Sequence, residues 1–131
     1  MNIAVRYYSR SGNTKAVAEA IAKKAGVKAI SVDAAAAKLE EPVDVLFIGG
    51  ALYAYGLDKH LKEYVKTLDK NGVKKAVVFS TSWISKHAID LLKKGLQEVG
   101  IEVAEEFYYV KNKPSDVQLK EAEAFAAKWI D

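Results

Sequence analysis

The sequence predicts an α/β fold: a parallel sheet of five strands with helices on both faces. Three observations carry that expectation. Strand-like apolar runs alternate with helix-period patterns along the whole chain, which is how successive βαβ units read. The run Val43–Ile48 is apolar apart from Asp44, as in a strand covered on both faces. The first run, Ile3–Tyr8, passes through a short hydroxyl-rich segment straight into an Ala-rich helical pattern, so strand, loop and helix follow with no linker.

Taken in order, Ile3–Tyr8 is the first strand, and the first helix runs from about Asn13 to Ala25 with Val17 and Ile21 on one face. Gly26 stops it as a glycine just past a helix end does. Val27–Val32 is a short second strand, Asp33 caps a weak helix over Ala34–Leu39, and Glu40-Glu41-Pro42 breaks it. Val43–Ile48 is the third strand, ending at Gly49-Gly50. Asp58 is the expected N-cap of a helix whose stripe is Leu61, Tyr64, Val65 and Leu68, closed by Asn71-Gly72. Lys75–Thr81 is the fourth strand. The next helix, from about Lys86 to Val99, turns Ala88, Leu91, Leu92, Leu96 and Val99 inward. Ile101–Val110 is the fifth strand, and Glu102, Glu105 and Glu106 mark it as an edge. Ser115 and Gln118 form a capping box before a last helix with Leu119, Ala122, Phe125, Ala126 and Trp129 inward. The pattern gives five strands and five helices.

The composition bounds the function. A chain of 131 residues is the size of one domain, and half of it is hydrophobic, enough for a core. No apolar stretch reaches the roughly 18 residues of a spanning helix, and Met1-Asn2-Ile3 enters a strand pattern directly, so neither a membrane span nor a signal peptide is expected. The absence of cysteine rules out disulfides, thiolate metal sites and cysteine catalysis, and fits a cytoplasmic location. The net charge of +3 is too small and dispersed to argue for nucleic acid. Residues 1–66 carry 10 basic and 7 acidic groups and residues 67–131 carry 10 of each, so the excess lies in the N-terminal half. His60 and His87 have no acid, cysteine or second histidine at metal-ligand spacing and read as surface residues. No catalytic triad or paired carboxylates stand out. Arg6, a charge in an apolar strand, is read as a stem over a helix with its head reaching water or Asp33.

The chemistry concentrates in Ser9-Arg10-Ser11-Gly12-Asn13-Thr14. The first amides of a helix have no intrahelical partner, and the helix dipole puts partial positive charge there. Ser9, Ser11, Asn13 and Thr14 add hydrogen-bonding side chains, and Gly12 lets the backbone approach a guest closely. The natural guest is a phosphate. No Gly-Lys-Ser/Thr follows, as a nucleotide P-loop requires, and one glycine is too few for a dinucleotide fingerprint. An ordinary turn capped by Asn13 or Thr14 is the competing reading. Arg10 either adds charge or points into water, and water is the default.

The stretch YYSRSGNTKAVAEAIA closely resembles the phosphate-binding loop and first helix of flavodoxins. That family's Ser/Thr-x-Ser/Thr-Gly-Asn-Thr motif holds the phosphate of FMN. Ser9, Ser11, Gly12, Asn13 and Thr14 match its positions, and Arg10 takes the variable one. The resemblance extends to the length and element order of the chain. It implies a single three-layer, doubly wound domain over residues 1–131 with strand order 2-1-3-4-5. In such sheets the ligand sits beyond the carboxyl ends of the strands where the winding reverses. Three loops would meet there.

By that resemblance the first loop binds phosphate and the second, Ala51-Leu52-Tyr53-Ala54-Tyr55-Gly56, supplies ring contacts, with Tyr53 or Tyr55 able to stack on the flavin. A peptide in Ala54-Tyr55-Gly56 is the counterpart of one that reorients toward the reduced ring in flavodoxins. The third loop, Ser80-Thr81-Ser82-Trp83-Ile84-Ser85, departs from the family's common glycine- and aspartate-rich form. There Trp83 is a candidate second cover for the ring, and Thr81 and Ser82 are candidate hydrogen-bonding groups. Flavodoxins are typically acidic, whereas Arg6, Arg10, Lys15, Lys59, His60, Lys86 and His87 border this end. A basic rim favours the anionic reduced flavin, so its potential is expected above that of an acidic flavodoxin.

The resulting expectation is an FMN-binding electron carrier acting with redox partner proteins, with no catalytic residues and no metal; the oligomeric state stays open, a monomer being slightly favoured. Two alternatives stay open. One is an FMN-dependent NAD(P)H:quinone-type reductase, disfavoured because a compact chain has little material for a substrate pocket. The other is a flavodoxin-fold interaction module without tight FMN binding, which the unusual third loop permits.

Overall fold

The computed structural model describes residues 1–53, 56–82 and 86–130. Its elements run β1 (Ile3–Tyr7), α1 (Asn13–Ala25), β2 (Ala29–Ser31), a 3-10 turn (Ala35–Ala37), β3 (Val43–Gly50), β4 (Leu52–Tyr53), β5 (Gly56–Leu57), α2 (Lys59–Lys66), β6 (Val73–Ser82), α3 (His87–Glu98), β7 (Glu102–Lys111) and α4 (Asp116–Ala127). Five strands form one parallel sheet in the order β2-β1-β3-β6-β7. That is the expected 2-1-3-4-5 order of the principal strands. The short β4 and β5 pair only with each other, antiparallel, inside the loop between β3 and α2.

Alternation along each strand divides the core between two faces. Val5, Val45, Phe47, Val77 and Phe79 point to the face covered by α1 and α4, where they meet Val17, Ile21, Ala122 and Phe125. Trp129 closes that layer, its ring edge-on to Phe47 with centroids 6.5 Å apart. Ala4, Leu46, Ile48, Ala76 and Val78 point to the other face and meet Leu61, Val65, Leu92 and Leu96 of α2 and α3. Both layers are apolar, which is why β3 and β6 read as continuous hydrophobic runs.

Several boundaries follow the local chemistry. α1 spans Asn13–Ala25 as the periodicity requires, and Gly26 ends it in the left-handed region at φ 74°. Ser115 accepts from the Gln118 amide while the Gln118 side chain accepts from the Ser115 amide, completing the capping box of α4. β3 runs through Gly49 and Gly50 rather than ending before them. A Cβ at Gly49 would sit 2.3 Å from the Phe79 ring and 2.5 Å from the Phe79 carbonyl oxygen, and one at Gly50 would sit 2.4 Å from Leu61. Those glycines let β3 lie close to β6 and α2.

Two expectations are corrected. The helix expected over Ala34–Leu39 is a single 3-10 turn, Ala35–Ala37, so the sheet carries four α-helices among the described residues. Six residues between Asp33 and Glu40 are too few to offset the cost of nucleating an α-helix. Arg6 reaches neither water nor Asp33. Strand alternation turns it toward α2, where it is buried at 7% exposure. Its Nε donates to the Ala37 carbonyl at 2.8 Å and a terminal nitrogen donates to the Val5 carbonyl at 3.0 Å. The Tyr64 hydroxyl donates to the same Ala37 oxygen at 2.6 Å, so two side chains pin the turn through one acceptor.

The edge strand β7 carries an irregularity. Ala76 pairs with Val103 but Val78 pairs with Phe107, so β7 gains two residues around Glu105 relative to β6. Glu105 and Glu106 lie in this bulge, where pairing is relaxed, whereas Glu102 stays in register with Lys75.

Candidate functional site

The winding of the sheet reverses between β1 and β3, and in open α/β sheets the loops at the carboxyl ends of such strands diverge to form the ligand crevice. The Tyr8 amide donates to the Gly49 carbonyl at 3.2 Å and holds the two strand ends together. From there the chain enters the Ser9–Thr14 loop.

The first helix has glycine at its N-cap. Gly12 sits there at φ 93°, a conformation other residues rarely adopt, and no side chain caps the helix. The turn capped by Asn13 or Thr14 is therefore not what forms: Asn13 is already the first helical residue. The hydroxyl of Ser9 accepts from the Gly12 amide at 3.0 Å, and that of Ser11 accepts from the Asn13 amide at 3.3 Å. Each hydroxyl keeps its own hydrogen to donate. Ser11 and Gly12 are exposed and Ser9 and Asn13 half-buried, so the loop faces the crevice mouth. It contains no acid.

Thr14 is buried at 1% exposure and bonds through its hydroxyl to that of Thr81, 2.7 Å away. This ties the first turn of α1 to the end of β6, 67 positions later. Thr81 thus turns its hydroxyl toward α1. Ser80 donates to the Gly50 carbonyl at 2.6 Å, and the Ser82 carbonyl accepts from the Tyr109 hydroxyl at 2.9 Å. The ends of β3, β6 and β7 are fastened by side-chain bonds as well as by the ladder.

A charged cluster sits beside the loop. Asp58 is the N-cap of α2, as expected, accepting from the His60 amide at 2.7 Å. Its side chain is only 3% exposed and pairs with the Arg10 guanidinium at 2.9 Å. Arg10 therefore does not simply point into water: it crosses from the first loop to α2. His60 Nδ1 lies 3.0 Å from Asp58 Oδ1, and its ring stacks on Tyr8 with centroids 4.7 Å apart. Burial raises the Asp58 pKa, but the hydrogen bonds from the His60 amide, Arg10 and the His60 ring outweigh it and hold the carboxyl below its ordinary 3.8. Asp58 is thus ionised at neutral pH. Burial of Tyr64 raises its phenol above the ordinary value against the opposing charge of Arg6, so it stays a donor to Ala37.

The second loop is a short hairpin in which Leu52 pairs with Leu57 and Tyr53 with Gly56. Ala51 and Leu52 are half-buried, and Gly56 takes φ 111°, which glycine alone adopts readily. Ala54, Tyr55 and Trp83 lie outside the described residues. In the basic rim, the structure places Arg6 inside the core under the 35–37 turn. It places Lys86 over the Phe107 and Tyr109 rings, 5.6 and 5.7 Å from their centroids. Lys15 and Lys59 remain exposed near the crevice.

The sequence thus brought out the hydroxyl-rich entry to α1 and the cap at Asp58. It missed the Tyr8–His60 stack and the Arg10–Asp58 pair. Both join positions about fifty residues apart, and no periodicity reports such contacts.

Among the described residues no helix is long and apolar enough to cross a membrane. No curated protein matches the sequence. Solved structures do. A flavodoxin from the domain Archaea aligns over 98% of this chain and 95% of its own, at 27% identity and a TM-score of 0.77. Oxidised Flavodoxin 1 from Bacillus cereus aligns over 97% of this chain and 96% of its own, at 26% identity and a TM-score of 0.79. The Flv1 flavodiiron core from Synechocystis sp. PCC6803 shares the fold at a TM-score of 0.81 and 23% identity, this chain covering 98% of itself and 35% of that protein. The family model described as a flavodoxin domain matches residues 4–122, and by that match the chain belongs to the flavodoxin family.

Proposed function

We propose that the protein binds FMN non-covalently at the β1–β3 crevice and acts as an electron carrier between redox partner proteins. The observation that carries this reading is the N-terminus of α1, where glycine occupies the cap and two serine hydroxyls line an acid-free loop. That chemistry fits a phosphate: first-turn amides and hydroxyls donate, and the helix dipole favours negative charge. Ser9, Ser11, Gly12, Asn13 and Thr14 hold the phosphate, and Arg10 stands at the loop paired with Asp58. Ala51, Leu52, Tyr53, Ala54, Tyr55 and Gly56 border the ring on one side, and Thr81, Ser82 and Trp83 on the other.

Bound there, FMN would supply one-electron chemistry, and the chain would supply binding, orientation and electrostatics. Arg10 and Asp58 neutralise each other and Lys59 lies 3.9 Å from Glu63, so the exposed Lys15 and the first-turn amides of α1 carry the positive field. They stabilise added negative charge on the cofactor and raise its potential relative to an acidic flavodoxin.

The test is titration of the flavin-stripped full chain with FMN and, separately, with riboflavin, followed by flavin fluorescence and visible absorbance. Stoichiometric quenching with FMN and none with riboflavin is the expected result. Equal binding of both would remove the phosphate from the argument, and no quenching at micromolar FMN would refute the reading.

A further inference from the structure

On the face of the sheet away from α1, the surface falls into a groove of about 290 Å³ between α2 and α3. Its floor is apolar. Leu57, Val65 and Leu92 are buried there, and Leu91 and Val99 are half-buried. Gly95 sits opposite Val65 in the floor.

The α2 wall is basic, and the lining as a whole carries three lysines against one acid. Lys62 and Lys66 rise from α2 and Lys94 from α3, all exposed, with Glu98 the single acid of the lining. The ion pairs among the described residues involve Arg10, Lys59, His60, Lys75 and Lys128, and none involves these three lysines. Lys62 and Lys66 also stand one turn apart, a spacing at which like charges destabilise a helix. An apolar floor under a lining of net positive charge complements an apolar stripe flanked by carboxylates.

Shape sets the length of the guest. α2 has eight residues, so the groove runs about 12 Å, or roughly two helical turns. One end opens on the second loop: Leu57 of β5 lines the groove, and a Cβ at Gly56 would lie 3.7 Å from Leu91.

We propose that the α2–α3 groove docks an acidic amphipathic helix of a partner protein, seating it beside the loop that follows β3. The recognition is that of a helix laid in a groove, with apolar anchors one turn apart giving adhesion and flanking Asp or Glu giving register. It goes beyond the flavin reading and does not require a bound cofactor. It gives a partner a fixed seat next to the crevice.

The probe is a labelled helical peptide of about 14 residues, with leucines at i, i+4 and i+7 flanked by glutamates, titrated against the full chain without flavin and followed by anisotropy. Saturable binding is expected. It should weaken about tenfold or more in Lys62→Glu/Lys94→Glu and in Lys66→Glu, a loss of about 1.4 kcal/mol. It should also weaken as salt rises from about 50 to 500 mM. Amide shifts should map to Leu57, Val65, Leu91 and Val99. Thermal melts check that the exposed lysine variants stay folded. A peptide with lysine in place of every glutamate should not bind. The proposal fails if binding is absent, if charge reversal leaves it unchanged, if the lysine peptide binds as well, or if the shifts map elsewhere. It also fails if the same reversals abolish a concentration-dependent dimer in sedimentation, or binding to phosphatidylserine vesicles, since a second copy or a lipid surface would then be the occupant. Because no flavin is present, failure here leaves the FMN titration to stand or fall separately.

Discussion

The hydroxyl bridge between Thr14 and Thr81 offers a quantitative check on how the Ser9–Thr14 loop is seated. Both oxygens are buried, they lie 2.7 Å apart, and neither makes another hydrogen bond among the described residues. Replacing either threonine by valine keeps the shape and removes one partner. The hydroxyl left behind is stranded in a dry site, which costs about 1–3 kcal/mol. Replacing both removes the stranded group, and the double variant should lose no more than about 1 kcal/mol. The cycle therefore predicts a coupling energy of about −1 to −6 kcal/mol, well outside the roughly 0.5 kcal/mol scatter of independent sites. The assay is urea unfolding of Thr14→Val, Thr81→Val and the double variant under one set of conditions. With a slope of about 2 kcal/mol per molar urea, a loss of 2 kcal/mol shifts a single variant's midpoint by about 1 M, and the double variant should recover most of that. Losses that simply add would refute the reasoning, because they would mean that the two hydroxyls do not rely on each other.

Three further outcomes follow from the same geometry. Gly49→Ala forces a Cβ against the Phe79 carbonyl oxygen at 2.5 Å, a backbone atom that cannot swing away. A loss of about 3 kcal/mol is expected, or a melting temperature lower by roughly 10 °C, and an unchanged melt would contradict the close β3–β6 approach. Asp58→Asn removes the charge that Arg10 and His60 share, with an expected loss of about 1–3 kcal/mol at neutral pH. Asp58 has a depressed pKa, so its contribution is complete above its ordinary 3.8 and disappears as pH falls through the lower folded value. The wild type should therefore lose more stability than the variant on acidification below that point, and parallel acid curves would count against the buried pair. Gly95→Ala places a Cβ 3.4 Å from Val65, an ordinary contact, within α3. A gain of about 0.5–1 kcal/mol is expected in thermal melts, and a loss would show that Val65 cannot give way.

What the sequence disclosed depended on whether neighbours in the chain decide the structure. α1 was legible to the residue because its stripe, its glycine stop and its hydroxyl-rich entry are all local. The caps at Asp58 and Ser115 are local too. The order of the strands came from the family resemblance of the first loop, since periodicity gives strands without neighbours. Arg6 defeated local reading: its acceptor is a carbonyl 31 positions away, exposed only because the 35–37 segment closes as a tight turn. The same contact misled the helix assignment, because alanines favour helix until a tertiary bond holds them otherwise. Gly49 and Gly50 read as the end of a strand, while their actual role depends on Phe79 and Leu61, which no nearby residue announces.

The bulge in β7 sets where the sheet is weakest in time. Around Glu105 the ladder to β6 loses register, and β7 has a neighbour on one side only. Backbone amides there have less to break before meeting solvent, so exchange with heavy water should start at Ala104–Glu106 and reach Leu46, Ile48 and Val78 last. The molecule should then open from one rim inward, while the β1–β3 seam that leads into the Ser9–Thr14 loop keeps its shape through most excursions. A loosened edge of this kind lets the far side breathe without disturbing the crevice.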